Sequence, residues 1–272
     1  MDWSRSKSIF IFVFLILNIF LYSQYIDRYE QGQNVEMPGN KSIEEDLKQD
    51  NITYEDLPSN IESVRAVSGK VHNFAEEDAV DNPNLFSTVR DQHVLTVTFR
   101  EPYKLNAVTK EQLQQFVESN VLEGDSYILW EMNEEENVAT FFQRINDRTL
   151  FYNDKGYVKV FWDASGNIYT YEQALFEKFE EYEQKKDIMT PIQVINILYS
   201  RSLLTANSHI KNMELGYSTL VQLTLTQVFA PTWEVTVESK ENGVEKFYVN
   251  ASDGKVIEMN ANKEKPLEEV IE

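Results

Sequence analysis

The chain opens with Met1 to Lys7, which carries Arg5 and Lys7, and runs into an apolar stretch from Ile9 to Tyr22 broken only by Asn18. No other feature says as much about the molecule, because such a segment decides which side of a membrane the remainder occupies. The hydrophobic part of a cleaved signal peptide would be followed by small residues at the cleavage point. Here Tyr22, Ser23, Gln24, Tyr25 and Ile26 come next, and no A-x-A pattern passes through them. The segment therefore reads as an uncleaved anchor. From Ser8 to Ile26 it has 19 residues, a helix of about 28 Å against a hydrocarbon core of about 30 Å. Trp3 on one side and Tyr22, Tyr25 and Tyr29 on the other fall at headgroup level, and the positive charges precede the run, which sets the N-terminus in the cytoplasm. A single pass is expected, with everything after about Asp27 extracytoplasmic. A soluble core helix would seldom lack a polar face over such a length.

The chain beyond the anchor is long enough for one large or two small domains. The protein has 272 residues and a formal net charge of −20. Its first 26 residues carry Arg5 and Lys7 against Asp2, so −21 falls on the remainder. Nucleic acid and anionic headgroups are poor partners for such a surface. The acidity reads first as a solubilising surface and second as a docking face for a basic partner. There is no cysteine, which removes disulfides, thiolate metal sites and cysteine nucleophiles together. Asn40-Lys41-Ser42, Asn51-Ile52-Thr53 and Asn250-Ala251-Ser252 match the glycosylation pattern, and matches of this kind arise easily by chance.

The pattern along the chain divides it into a cytoplasmic tail (1–7), the anchor (8–26), a polar juxtamembrane spacer (27–60), a first α+β domain with a connecting helix (61–187), a second α+β domain (188–262) and an acidic tail (263–272). In the spacer, Ser42-x-x-Glu45 and Thr53-x-x-Asp56 read as helix starts. Strand-like runs come after it at Val64–Phe74 and Val94–Phe99, separated by an acidic loop with Pro83. Thr109-x-x-Gln112, with Leu113, Phe116, Val117 and Val121 on one face, predicts a helix. Tyr127–Met132, Val138–Ile145 and Val158–Trp162 then read as an antiparallel meander. The order recurs: Thr190-Pro191 opens a helix through Ile192, Ile195, Leu198, Tyr199 and Leu203, and strands are expected at Ile210–Tyr217, Val221–Phe229, Trp233–Val237 and Phe247–Val249. Both units also end alike. Phe161-Trp162-Asp163-Ala164-Ser165-Gly166 parallels Phe247-Tyr248-Val249-Asn250-Ala251-Ser252-Asp253-Gly254, each an aromatic strand, Asp or Asn, Ala-Ser and a glycine turn. Between the units, Tyr171, Leu175, Phe179 and Tyr182 predict one face of a connecting helix over Tyr171–Lys186.

Chemistry is sparse. His72, His93 and His209 have no partner at metal-ligand spacing, and Glu134 to Glu136 and Glu76 to Asp78 read as acidic turns. No glycine-rich phosphate loop and no Gly-x-Ser-x-Gly elbow is present. No catalytic, cofactor or metal residue is assigned, and no enzyme is expected. The polar residue inside the anchor, Asn18, can hydrogen-bond to a neighbouring transmembrane helix for about 1 kcal/mol, or it is tolerated in a single-pass anchor.

The opening Met1-Asp2-Trp3-Ser4-Arg5-Ser6-Lys7 with Ile9-Phe10-Ile11-Phe12-Val13-Phe14-Leu15-Ile16-Leu17-Asn18 resembles the YycI (WalI) family, membrane-anchored regulators of the YycG/WalK sensor kinase of low-GC Gram-positive bacteria. Length, single anchor, absence of cysteine and two α+β units agree. The resemblance implies a non-enzymatic protein of the cell membrane, acting with a YycH-like companion on a kinase that governs cell-wall metabolism. It implies contact through transmembrane helices, for which Asn18, Phe14, Leu17 and Leu21 are the candidate residues. The implied fold is a single transmembrane helix followed by two small helix-plus-antiparallel-sheet domains of YycH/YycI type, the second PepSY-like. An envelope binding or peptidase-control module of PepSY type is the alternative.

Overall fold

The computed structural model describes residues 10–24, 43–59, 64–74, 83–222 and 225–257, with backbone alone for 184–186, 221 and 222. The cytoplasmic tail, most of the spacer's first half, the cluster Glu76 to Asp78 and the acidic tail lie outside these residues. Contacts divide the chain into a unit ending at Asn51 and a unit from Ile52. The first holds helix α1 over residues 10–24 and helix α2, Ile43–Gln49, which has three carboxylates in its first turn and buries Leu47. Among the described residues no helix is long and apolar enough to cross a membrane.

In the second unit the strands described form two seven-stranded sheets. One sheet is an antiparallel run in the order β3 (Leu85–Arg90), β4 (Val94–Tyr103), β9 (Ile168–Ala174), β8 (Tyr157–Trp162), β6 (Val138–Ile145) and β5 (Tyr127–Asn133), with the short β7 (Arg148–Thr149) on β6. Helix α3, Lys110–Asn120, covers one face. Leu113, Phe116 and Val117 join Leu95, Val97, Phe141, Val158, Val160 and Tyr171 in one core, as the spacing of three and four predicts. The other sheet runs β1 (Thr53–Tyr54), β11 (His209–Gln222), β12 (Thr226–Ser239), β13 (Gly243–Asn250) and β14 (Val256–Ile257). Its α4, Pro191–Ser200, buries Val194, Ile195 and Leu198.

β12 has three neighbours. β11 follows one edge; the other is shared, first by β2 (Val64–Val71) against Thr226–Phe229, then by β13 against Thr232–Ser239. Pro231 sits at the changeover, where its missing N–H removes no ladder bond. Its carbonyl is used, accepting from Ala251 N–H at 2.9 Å.

The recurring order is real in three dimensions. α3 followed by β5, β6, β8 and β9, and α4 followed by β11, β12, β13 and β14, are each a helix and a four-stranded antiparallel meander. Each helix has threonine at the N-cap and glutamine three residues on. Gln112 N–H donates to Thr109 Oγ1 at 3.3 Å, while Gln112 Oε1 accepts from Asn106 N–H and Ala107 N–H. Gln193 Oε1 accepts from Thr190 N–H at 2.8 Å and from its hydroxyl at 3.1 Å. Both closing turns also use one device. Asp163 Oδ1 accepts from Ser165 N–H and Asn167 N–H; Asn250 Oδ1 accepts from Ser252 N–H and Asp253 N–H. Gly166 and Gly254 take φ of +80° and +68°, a region glycine enters without steric cost. Each lies against the residue before the helix cap: a Cβ on Gly166 would come within 3.1 Å of Val108, and one on Gly254 within 3.0 Å of Met189.

Four expectations are corrected. Tyr171–Lys186 is no connecting helix; it lies in β9 and β10 (Phe176–Lys186). Residues four apart share a face of a strand as well as of a helix, and Lys178 at φ 53° marks the register shift between Glu177 and Glu180. The segment after Pro83 holds β3. The run Val221–Phe229 is not one strand: Val221 and Gln222 end β11, and Thr226–Phe229 begin β12, which continues through the expected separate strand Trp233–Val237. Thr53 begins no helix: Thr53–Tyr54 pairs in parallel with His209–Ile210. In addition, β2 and β10, from the expected first domain, pair into the second unit's sheet, so backbone hydrogen bonds cross the expected division at 187/188.

Candidate contact sites

Two places in the molecule carry more than packing. The first is α1, whose apolar side chains are exposed on every side: Phe14 by 64%, Leu17 by 47% and Leu21 by 54%. Ile11, Phe14, Leu15, Asn18, Ile19 and Tyr22 line one shallow trough along it. Their spacing of three and four is that of a single helix face. The sequence candidates Phe14, Leu17, Asn18 and Leu21 overlap this stripe through Phe14 and Asn18, with Leu17 and Leu21 on its flank. Asn18 Nδ2 donates to Phe14 O at 2.9 Å, one turn back. That bond satisfies one amide N–H inside the helix and leaves the second N–H and Oδ1 for a neighbour.

The second place is a seam between the two repeats within the 52–257 body. Trp130 is the residue at the register shift of β5 between Leu129 and Glu131, and a bulge of this kind re-aims a side chain. Its ring meets Phe142, Phe151 and Tyr152 at centroid distances of 5.6, 5.5 and 5.9 Å. Phe151 and Tyr152 in turn meet Tyr248 of β13 at 5.4 and 5.7 Å. The segment carrying them is held to β11 by Phe151 N–H donating to Tyr217 O at 2.8 Å. Only glycine permits that approach, since a Cβ on Gly216 would fall on Thr149 O and the Phe151 ring.

Under these rings lies Glu234 of β12, 3% exposed. Its Oε2 accepts from Tyr248 OH at 2.9 Å and its Oε1 is 3.2 Å from Lys246 Nζ. Thr236 Oγ1 donates more weakly to Oε1, at 3.4 Å. Lys246 Nζ also stands 3.8 Å above the Trp130 ring, a cation–π contact from the second repeat to the first. Burial raises the Glu234 carboxyl above its ordinary value, Lys246 and Tyr248 oppose the rise, and Glu214, directly opposite on β11, adds to it. Burial, and then the Glu234 charge, push the Tyr248 phenol well above its ordinary range. Sequence reasoning missed this group. In Trp233-Glu234-Val235 the alternation marks Glu234 as facing away from the core side, which ordinarily means solvent.

The histidines are placed in pairs of contacts. His72 Nδ1 is 3.0 Å from Glu177 Oε2 and His93 Nδ1 is 3.2 Å from His72 O; His209 Nδ1 meets Thr53 Oγ1 at 2.8 Å. The bond from His72 is the largest cause holding the Glu177 carboxyl below its ordinary value. Among the described residues no group of three or more His, Asp or Glu is placed to hold a metal ion. Glu134 to Glu136 form an exposed turn in which Asn133 Oδ1 accepts from Glu135 N–H and Glu136 N–H.

Residues 30–252 match the model of the family described as "YycI protein". No curated protein matches the chain. Among solved structures, an uncharacterized protein from Eubacterium rectale ATCC 33656 is similar at 9% identity and a TM-score of 0.46, over 77% of this chain and 91% of that one. The C-terminal domain of Bacillus megaterium YpeB is similar at 11% identity and a TM-score of 0.40, over 70% of this chain and 87% of that one.

Proposed function

The chain belongs to the YycI family, and we propose that it is a non-catalytic, membrane-anchored regulator of a YycG/WalK-type sensor kinase. YycI proteins are regulators, and the match over residues 30–252 is the observation that carries the reading. On this reading the protein lies in the cell membrane as a single-pass chain, with its N-terminus in the cytoplasm and residues 52–257 outside. The exposed apolar stripe of α1, with Asn18 at its centre, is the surface offered to the kinase, and a YycH-like protein pairs with the outer body.

Regulation through such a contact requires different affinities for the kinase's signalling states. Within a bilayer that difference comes from side-chain packing and interhelical hydrogen bonds, because lipid is as apolar as leucine. Asn18 suits this role: its internal bond to Phe14 O lowers the cost of carrying an amide in hydrocarbon while a donor and an acceptor stay available. The direct test replaces the segment Ile9–Tyr22 with an unrelated apolar anchor and follows a reporter of the kinase's response regulator. Loss of control with the body still at the membrane supports the reading; unchanged control refutes action through the helix. The helix-plus-meander unit built twice favours one other reading, a PepSY-like envelope binding module. Its distinguishing result is function that survives the anchor exchange.

A further inference from the structure

The seam holds a buried acid that packing alone does not require. Glu234 sits on the face of β12 turned toward the first repeat, and among the described residues no other charged side chain in this sheet is as deeply buried. Its only cation within bonding distance among the described residues is Lys246, whose side chain is 36% exposed and reaches the seam from its rim. Lys246 therefore has two places to be, and the second is water. From the charged carboxylate at 3.2 Å it is held over Trp130 at 3.8 Å; without that charge it keeps only the ring. A cation over an aromatic ring at a partly exposed site gives a weak attraction, little against the hydration of a free ammonium group and the entropy of a lysine side chain.

We propose that Glu234, Lys246 and Trp130 form an acid-released latch between the two repeats, closed while Glu234 is charged and opened when it takes a proton. The other groups that bear on Glu234 fit such a device. Tyr248 on β13 donates to it and remains protonated, Tyr152 touches Tyr248 rather than the acid, and Thr236 offers a neutral hydroxyl. On β11, Glu214 stands opposite with Thr149 Oγ1 donating to it at 3.3 Å, and its charge favours proton uptake by Glu234. Burial also favours the neutral acid, so protonation releases Lys246 without loss of the fold. The stimulus is chemical and simple, a fall in the pH of the surrounding medium, and it needs no ligand.

The test uses the full chain in detergent with its tryptophans replaced by fluorotryptophan, the Trp130 resonance being assigned from Trp130→Phe. Between about pH 7.5 and about pH 4.5 the wild-type Trp130 signal is expected to shift with one midpoint above the ordinary glutamate value. In Glu234→Gln it should be pH-independent and lie at the acid position, and in Lys246→Met it should lie there at neutral pH. A wild-type signal that does not move, or a titration that persists in Glu234→Gln, overturns the latch. Should Glu234→Gln fail to fold, the wild-type titration compared with that of Lys246→Met still decides.

Discussion

The two repeats are written in the same local code and finished differently on the outside. Each has a threonine-capped helix, a glutamine that reaches back, a meander, and a turn in which Ala-Ser leads to a glycine seated on the residue before the cap. Their outer sheet faces diverge. In the first repeat and the β4 strand that extends its sheet, that face carries Thr96, Thr98, Lys159, Thr170 and Glu172, all only half-buried, with Thr98 and Thr170 hydroxyls 3.1 Å apart. In the second it carries Ser218, Thr232 and Glu234, all buried, covered in part by aromatic rings from the first. Local signals fix the unit; the outer face fixes how units are joined.

The difference is most open to challenge at the seam's centre. Phe151 is 1% exposed and touches both repeats, so Phe151→Ala should cost about 3–5 kcal/mol in denaturant unfolding. A loss below about 1 kcal/mol would mean the rings there are not packed as described. Next in size is Lys246→Met, expected to cost about 1–3 kcal/mol, less than a fully buried pair because the lysine is partly exposed. Glu234→Gln on that background should recover part of the loss, a coupling that a double-mutant cycle measures. The pH dependence has a definite sign. A carboxyl raised above its unfolded value contributes stability that is present below that value and lost as pH rises through the folded one. Lys246→Met should therefore lose stability more steeply than the wild type on going from acid to neutral pH.

Two smaller effects bear on the likeness between the repeats. Gly254→Ala and Gly166→Ala should each cost about 1 kcal/mol for the positive φ. Gly254→Ala should cost the more, since its Cβ would also meet Ile197 Cδ1 at 2.7 Å; thermal unfolding of both variants gives the order. Thr109→Ala should cost about 1 kcal/mol. Thr190→Ala should cost less, because what Gln193 accepts from the Thr190 backbone N–H survives the change.

The features legible in the sequence were local. The Thr109 and Thr190 caps, the amphipathic α3 and the paired glycine turns depend on neighbours a few residues apart, and each appears where the spacing put it. Features that depended on distant pairing were not legible. Tyr171, Leu175 and Phe179 fit a strand and a helix equally by spacing, and only the partnership of β9 with β4 and β8 and of β10 with β2 decides between them. Thr53 carries a helix-start pattern, yet His209 and Ile210 recruit it into a sheet. Of the candidate site, the α1 stripe was visible as an apolar run with one asparagine. The seam was not, because nothing near Glu234 in the chain announces that Trp130 and Phe151 will cover it.

Whether α1 offers one face to a sensor kinase is decided by placing a photo-crosslinking residue singly at Phe14, Leu15, Val13 or Phe20 in the full-length protein in its native membrane. Phe14 and Leu15 lie beside Asn18 in the stripe, and Val13 and Phe20 lie across the helix from it, at about 100° per residue. A covalent adduct with a YycG/WalK-type kinase is expected from positions 14 and 15 and none from positions 13 and 20. Equal adducts from all four positions, or no kinase adduct from any, would overturn the one-faced contact.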